Sequence, residues 1–568
     1  MPTTASASAP GKAILYGEHA VVYGYPAVAA ALSDMRVHAF AEASASSGEV
    51  VLDLADLADD EGRPVLFKCS VESVVRVVGA AAAGIAALDA PPSPQLMAAV
   101  DELLGAAAAG PAASALRPLL FLCSAIVLLP RRAASPPQGL CVSARRARLP
   151  VGAGLGSSAA FSVACSTALV GLALRLAGEY EAAAALGETL AAAEGDALVA
   201  AGARAVRPGA AHLEQINRWA FAAESVIHGA PSGLDNTVST HGGALRYVKG
   251  GVVVRGGGGG GGAGGAPPPP AVQFSRVEPP PALTILVTNT LVPRSTKVLV
   301  AGVRAMADRL PEPTHHVLRA MGAIADLAAP PPPAASTATT APAPRPPPAS
   351  ELFTLNHALL RAVGVSHPAL EAVVDLAAAR GFATKLTGAG GGGCALTLLS
   401  EGGGGDDEGG DEDDEVVSAF RRYDANGNGV IDRKELRVAL RGLGVDADDD
   451  AEAARVLRAY DGDGDGVIDL AEFATLVKQL RGSGSGAPLA PPRDDVAALC
   501  AELEARGFVC LETRLGGVGA VWDDPPSAAP PAPPDSRPAA SARLASLAVG
   551  VAALAVLAAV VRRSCVRA

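Results

Sequence analysis

Aromatic residues are scarce in this chain of 568 residues: 4% of the total, with two tryptophans and seven tyrosines. A core must therefore be built from aliphatic side chains, which the 49% hydrophobic content supplies. The eight cysteines, Cys69, Cys123, Cys141, Cys165, Cys394, Cys500, Cys510 and Cys565, form no CxxC pair. Their scatter excludes a disulfide framework and a zinc site, and suits small buried hydrophobes in a reducing compartment. A surplus of positive charge is also missing. The net charge is −12, and about 22 acids against about 9 bases fall within residues 401–480, a local balance of about −13. The remainder is near neutral, so charge points to no nucleic-acid partner. No cleavable signal peptide is expected, because the residues after Met1 are small and polar.

Gly and Pro are in excess and concentrated in tracts. The run Gly256–Gly262 and the following Pro267–Pro270 mark residues 251–282 as a disordered surface loop. Residues 329–350 form a Pro-rich loop, 401–415 an acidic linker, 481–492 a further linker and 525–540 a Pro-rich linker. Between them, 8–250 reads as alternating strands and helices. A strand is expected at Leu283–Val287, helices at Arg294–Arg304, 351–362 and 368–380, and a strand–glycine loop–strand at 382–400. Arg493–Arg506 has helical periodicity and Phe508–Leu511 reads as a strand. Leu544–Val561 is an 18-residue run without charge, followed by Arg562, Arg563 and Arg567. That length just spans a hydrocarbon core, and a tail anchor with the rest of the chain facing the cytosol is the expectation. Peroxisomal, mitochondrial outer and ER membranes all suit the basic end.

Three segments carry chemistry. In Pro150-Val-Gly-Ala-Gly-Leu-Gly-Ser-Ser-Ala-Ala160, Gly152, Gly154 and Gly156 precede Ser157, Ser158 and an apolar helix. Such a loop lets backbone N–H groups approach a polyphosphate, and the helix N-terminus adds a positive dipole end. No Lys follows the last glycine, so this is not a Walker A motif; a Gly-rich turn with a serine cap is the blander reading. In Ala230-Pro-Ser-Gly-Leu-Asp-Asn236, Asp235 sits in a turn, and Glu224 lies eleven residues upstream in the helical pattern His212–His228. Either acid could be a cap or a solvated face residue, or could belong to an Mg²⁺ site. In Lys385-Leu-Thr-Gly-Ala-Gly-Gly-Gly-Gly-Cys394, glycines lie between strand-like runs, which favours a loop against a ligand.

These segments follow Ser8-Ala-Pro-Gly-Lys-Ala-Ile-Leu-Tyr-Gly-Glu-His-Ala-Val-Val-Tyr-Gly24 in one order. The set resembles the GHMP kinases, and the GEHAVVYG segment resembles the mevalonate kinases among them; galactokinases differ around their GEH. Trp219-Ala-Phe, Ile227-His-Gly, Thr240-His-Gly-Gly-Ala-Leu-Arg-Tyr247 and Thr288-Asn-Thr-Leu-Val-Pro-Arg-Ser-Thr-Lys297 extend the match over roughly 8–400 and 493–522. The resemblance implies an α+β fold of two domains: an N-terminal ATP-binding domain (1–250, ribosomal protein S5 domain 2-like) and a ferredoxin-like C-terminal domain (283–400 and 493–522). It implies ATP and Mg²⁺ as cofactors and mevalonate as substrate. Residue by residue, it implies Asp235 as the base that takes the hydroxyl proton, Lys12 beside the reacting groups, and Ser158 and Glu224 as Mg²⁺ ligands. It further implies Gly152, Ala153, Gly154, Leu155, Gly156, Ser157 and Ser158 as the ATP-phosphate loop, and Glu18, His19 and Thr387 near substrate.

Residues 416–480 contain two similar units, 37 residues apart. Asp424, Asn426, Asn428, Val430, Asp432 and Glu435 occupy every ligand position of an EF-hand loop, with Gly429 at its sharp turn. Asp461, Asp463, Asp465, Val467, Asp469 and Glu472 repeat the pattern around Gly466. Flanking Val417, Phe420, Leu436, Leu440, Val456, Leu457, Phe473 and Leu476 suit helices. Ca²⁺ is the expected cofactor. Because kinase-like sequence resumes at 493, this all-α lobe reads as inserted into the C-terminal domain, where Ca²⁺ could modulate activity. Phosphorylation of another small alcohol, such as phosphomevalonate or a sugar, stays open as an alternative. So does a membrane-tethered calcium sensor with an inactive kinase domain, although Lys12, Ser158, Glu224 and Asp235 together speak against it. A homodimer is compatible with the sequence, which does not fix the oligomeric state.

Overall fold

The fold is built on two long antiparallel strands, β1 (Thr3–Tyr16) and β2 (Ala27–Ser44). In the computed structural model, the residues described are 3–524 except 45–46, 60, 86, 131–137, 191–203, 230, 249–272, 278–282, 332–346, 402–415, 417–418, 421–422, 425–427, 443–449, 463 and 483–492. Small residues alternate inward along both strands, Ala5, Ala7 and Ala9 on β1 and Ala39 and Ala41 on β2, and all are buried. Their size lets the helix Ser157–Ala177 lie against this face. That helix is apolar all round because the core surrounds it. Among the described residues it is the one helix long and apolar enough to cross a membrane, and 78% of that window is buried inside the fold. The Leu544–Val561 run lies outside the described residues.

The remaining strands are β3 (Glu49–Ala58), β4 (Pro64–Ser70), β5 (Gly139–Ala147), β6 (Glu188–Thr189), β7 (Arg204–Arg207), β8 (Ala244–Val248), β9 (Gln273–Arg276), β10 (Leu283–Asn289), β11 (Thr384–Leu386), β12 (Cys394–Glu401), β13 (Val509–Arg514) and β14 (Val521–Asp524). The larger sheet runs β4-β3-β5-β2-β1-β14-β7-β6, with β8 also pairing β2 and β9 pairing β8. The smaller runs β11-β12-β10-β13 and is antiparallel throughout. Leu286, Leu370, Val373, Ala395, Leu499 and Leu503 share a second core.

Three expectations need correction. Strands and helices do not alternate from the start; β1 to β4 come in succession apart from a short 3₁₀ turn at Ala20–Tyr23. Long-range pairing with β1 and β5 decides this, and local pattern does not carry it. Within the presumed loop 251–282, Gln273–Arg276 forms β9, because β8 offers it a free edge. The terminal stretch does not end in the smaller sheet: β13 joins β10 there, but β14 crosses to β1, and buried Trp522 donates its indole N–H to the Thr167 carbonyl at 3.0 Å.

Helices Arg433–Gly442, Asp450–Tyr460 and Leu470–Gly482 form a lobe with its own core around Phe420, Leu436, Leu440, Phe473 and Leu476. It lies between β12 and the helix Arg493–Ala505 that feeds β13, so it is an insertion between strands of one sheet.

Candidate active site

The Gly loop sits where β1 and the helix Ser157–Ala177 meet. Gly152, Gly154 and Gly156 have φ of 71°, 86° and 71°, a left-handed region that side chains disfavour. Ala153 and Leu155 between them are buried. The Lys12 backbone N–H donates to the Leu155 carbonyl at 2.8 Å, and Lys12 Nζ reaches the Gly154 carbonyl at 3.3 Å. Lys12 is almost fully buried and pairs with Asp235 at 3.3 Å. Asp235 opens the helix Leu234–His241, and the turn before it is held by the Tyr247 hydroxyl, which donates to the Ser232 carbonyl.

Beside this pair, Ser158 Oγ lies 3.3 Å from Glu224 Oε2 and Ser162 Oγ lies 3.1 Å from Glu224 Oε1. Glu224 comes from the buried face of the helix Ala210–His228. Burial, and then the charge of Asp235, push its carboxyl up to about 7. A hydroxyl and a carboxylate at the mouth of a phosphate-type loop are the oxygen donors that Mg²⁺ takes, alongside phosphate and water. Among the described residues no group of three or more His, Cys, Asp or Glu is placed to hold a metal. Mg²⁺ needs only one or two protein carboxylates, so the Ser158–Glu224 pair fits it. Ser157 lies in the first turn of the helix that follows the loop.

The third segment folds over the first. His19, held at φ 59°, reaches the Ala389 carbonyl through Nε2 at 2.9 Å, and burial lowers its pKa. Thr387 Oγ1 donates to the Ile14 carbonyl at 2.9 Å and accepts from its N–H at 3.1 Å. Glu18 points inward: Lys385 Nζ lies 2.5 Å from Oε1 and Asn356 donates to Oε2 at 2.9 Å. Glu18 and Thr387 therefore spend their polar atoms joining the end of β1 to β11 and, through Asn356, to the helix Ala349–Ala362.

Arg294 carried no role in the sequence reading, although it lies within the matching Thr288–Lys297 stretch. Its guanidinium sits between the two glycine loops. A Cβ on Gly154 would lie 1.6 Å from Nη2, and one on Gly393 would lie 2.7 Å from Nε. Among the described residues no carboxylate pairs with it, and burial lowers its pKa. Its position between segments distant in sequence is visible only once they fold together.

In the lobe, the Asp424 carboxylate accepts from the N–H groups of Asn428 and Gly429, and Asp432 from those of Lys434 and Glu435. Asp461 accepts from Gly464, Asp465 and Gly466, Asp465 from Val467, and Asp469 from Glu472. Glu435 and Glu472 fold back to accept from Asp432 and Asp469. Ile431 and Ile468 join the loops through reciprocal backbone bonds of 2.8 and 2.9 Å. Val430 and Val467 occupy the turns just before those isoleucines. Asn426, Asp463 and Val417 lie outside the described residues.

The family model for the C-terminal part of GHMP kinases matches residues 342–426, and that for an EF-hand domain pair matches 413–478. The mevalonate kinase of Homo sapiens is 34% identical over 384 residues, covering 67% of this chain and 83% of that protein. The mevalonate kinase of Arabidopsis thaliana is 31% identical over 394 residues, covering 68% and 88%. Among solved structures, L. major mevalonate kinase in complex with R-mevalonate aligns at 20% identity and a TM-score of 0.42, over 72% of this chain and 89% of that one.

Proposed function

The chain belongs to the mevalonate kinases within the GHMP kinase family, and from this premise we infer that it transfers the γ-phosphoryl group of ATP to the 5-hydroxyl of mevalonate. The observation that carries the reaction is the Lys12–Asp235 pair at 3.3 Å beside the 152–158 loop. Phosphoryl transfer needs positioning and charge neutralisation more than covalent help. ATP supplies the phosphoryl group and Mg²⁺ its charge shield. Backbone N–H groups of 152–156 and the N-terminus of the helix Ser157–Ala177 cradle the phosphates. Ser158 and Glu224 would hold Mg²⁺, which would supply charge neutralisation at the phosphates. Lys12 and Arg294 both bring positive charge to the 152–158 loop. Asp235 accepts the proton of the attacking hydroxyl, which is otherwise a poor nucleophile. Glu18, His19 and Thr387 shape the substrate end by fixing the 388–393 loop against β1.

Asp235→Asn keeps the shape and removes the base. Turnover should fall by roughly 10²–10⁴-fold, with ATP affinity little changed. A folded Asn variant with near-normal turnover of mevalonate would remove the assignment.

We further propose that the EF-hand pair binds Ca²⁺ and modulates the kinase, and that Leu544–Val561 anchors the chain to an intracellular membrane. Charge-free length supports the anchor. Fractionation of the full chain and of one ending at residue 540 tests it; recovery of both in the soluble fraction rejects it.

A further inference from the structure

His228 closes the helix that carries Glu224 and stands one turn further on, with its side chain half exposed. Its Nε2 lies 3.1 Å from Ser158 Oγ and 3.6 Å from Glu224 Oε2, so three polar atoms converge from two helices. We infer that His228 is a positioning residue that accepts a hydrogen bond from the Ser158 hydroxyl and so turns a lone pair of that oxygen to face the metal of bound Mg·ATP. This rests on the reading of Ser158 and Glu224 as the metal's protein ligands.

A serine hydroxyl has one proton and two lone pairs. To face a cation it must present a lone pair, and its O–H must point to an acceptor elsewhere. Two acceptors stand within reach. One is Glu224 Oε2 at 3.3 Å, which would itself turn to the metal. The other is His228 Nε2, which is nearer and has a free lone pair when the ring proton is on Nδ1. The side chain is half exposed, so Nδ1–H can meet water without an inner partner. Ser162 already holds the far oxygen of Glu224 at 3.1 Å, which leaves Oε2 as the oxygen to be directed. Such outer partners orient a metal's inner ligands, and losing one typically costs about 10–100-fold in metal affinity.

The test is calorimetric titration of the full chain with Mg·ATP at constant excess Mg²⁺, and with ATP in EDTA. His228→Leu should weaken Mg·ATP about tenfold and leave metal-free ATP unchanged. His228→Gln, whose side-chain oxygen can accept in place of Nε2, should restore most of the loss. Unchanged Mg·ATP binding in His228→Leu overturns the inference, and so does equal weakening of both titrations, which would mark a loop packed wrongly. Glu224→Ala separates the two levels: if it too binds Mg·ATP normally, the metal-site reading fails, whereas if only Glu224→Ala is impaired, the role of His228 alone fails.

Discussion

Glu224 holds a carboxyl group where an anion is costly. Its folded pKa of about 7 lies above the ordinary 4.5. The carboxyl therefore favours the fold fully below about pH 4.5, and that contribution is lost as pH rises through about 7. Without metal, Glu224→Gln should gain on the parent as pH rises from 5 to 8, by on the order of 2 kcal/mol. Thermal melts in EDTA at the two pH values read this directly. The same melting difference at both would show that Glu224 is not strained by its charge. His38 and His241 act oppositely. Burial lowers both to about 4, so their stabilisation is present above about pH 6.5 and is lost as pH falls towards 4. The acids and the lysine could be proposed from sequence because their motifs are local. The places of Arg294 and His228 could not, because they depend on what folds beside them.

At the scale of elements, the two sheets share an apolar core, and one buried ion pair crosses between them. Lys385 on β11 is fully buried and meets Glu18, which follows β1 and is also fully buried. Removing one member of a desolvated pair leaves the other uncompensated, which costs about 3–5 kcal/mol. Lys385→Met should destabilise by that amount in denaturant unfolding, and Lys385→Met with Glu18→Leu should recover most of it. A single substitution within about 0.5 kcal/mol of the parent would mean that the pair is solvated. The sequence marks Lys385 and Glu18 as members of two motifs, but register alone aims one at the other. Periodicity found the helices Ala210–His228 and Pro368–Ala378 because each buries one face. It missed β14, whose four residues carry little pattern and whose place is set by β1 and β7.

Across the whole molecule, the lobe lies in the chain between β12 and β13, the strands that flank β10, and Arg294 follows β10 by five residues. The proposed Ca²⁺ effect would have to reach β12 and the helix Arg493–Ala505 through the linkers at 401–415 and 481–492. That helix is pinned to the domain by Leu499, Leu503 and the Arg380–Glu502 pair at 2.8 Å. The expected outcome is a change in KM or kcat when Ca²⁺ replaces chelator at fixed Mg²⁺. Identical kinetics under both conditions would leave the lobe without influence on the reaction.

The sequence by itself determined the family and the motifs: a glycine loop, a lysine, two carboxylates and two EF-hand loops, each encoded in a few adjacent residues whose conformational demands are local. It also determined the insertion, since kinase-like sequence resumes after the lobe. Tertiary structure alone decided which of these groups meet. It turned Glu18 inward to Lys385, set Arg294 between two glycine loops, carried β14 to the far sheet and brought His228 to Ser158. Those contacts join residues tens to hundreds of positions apart, and only strand register and helix packing fix such distances.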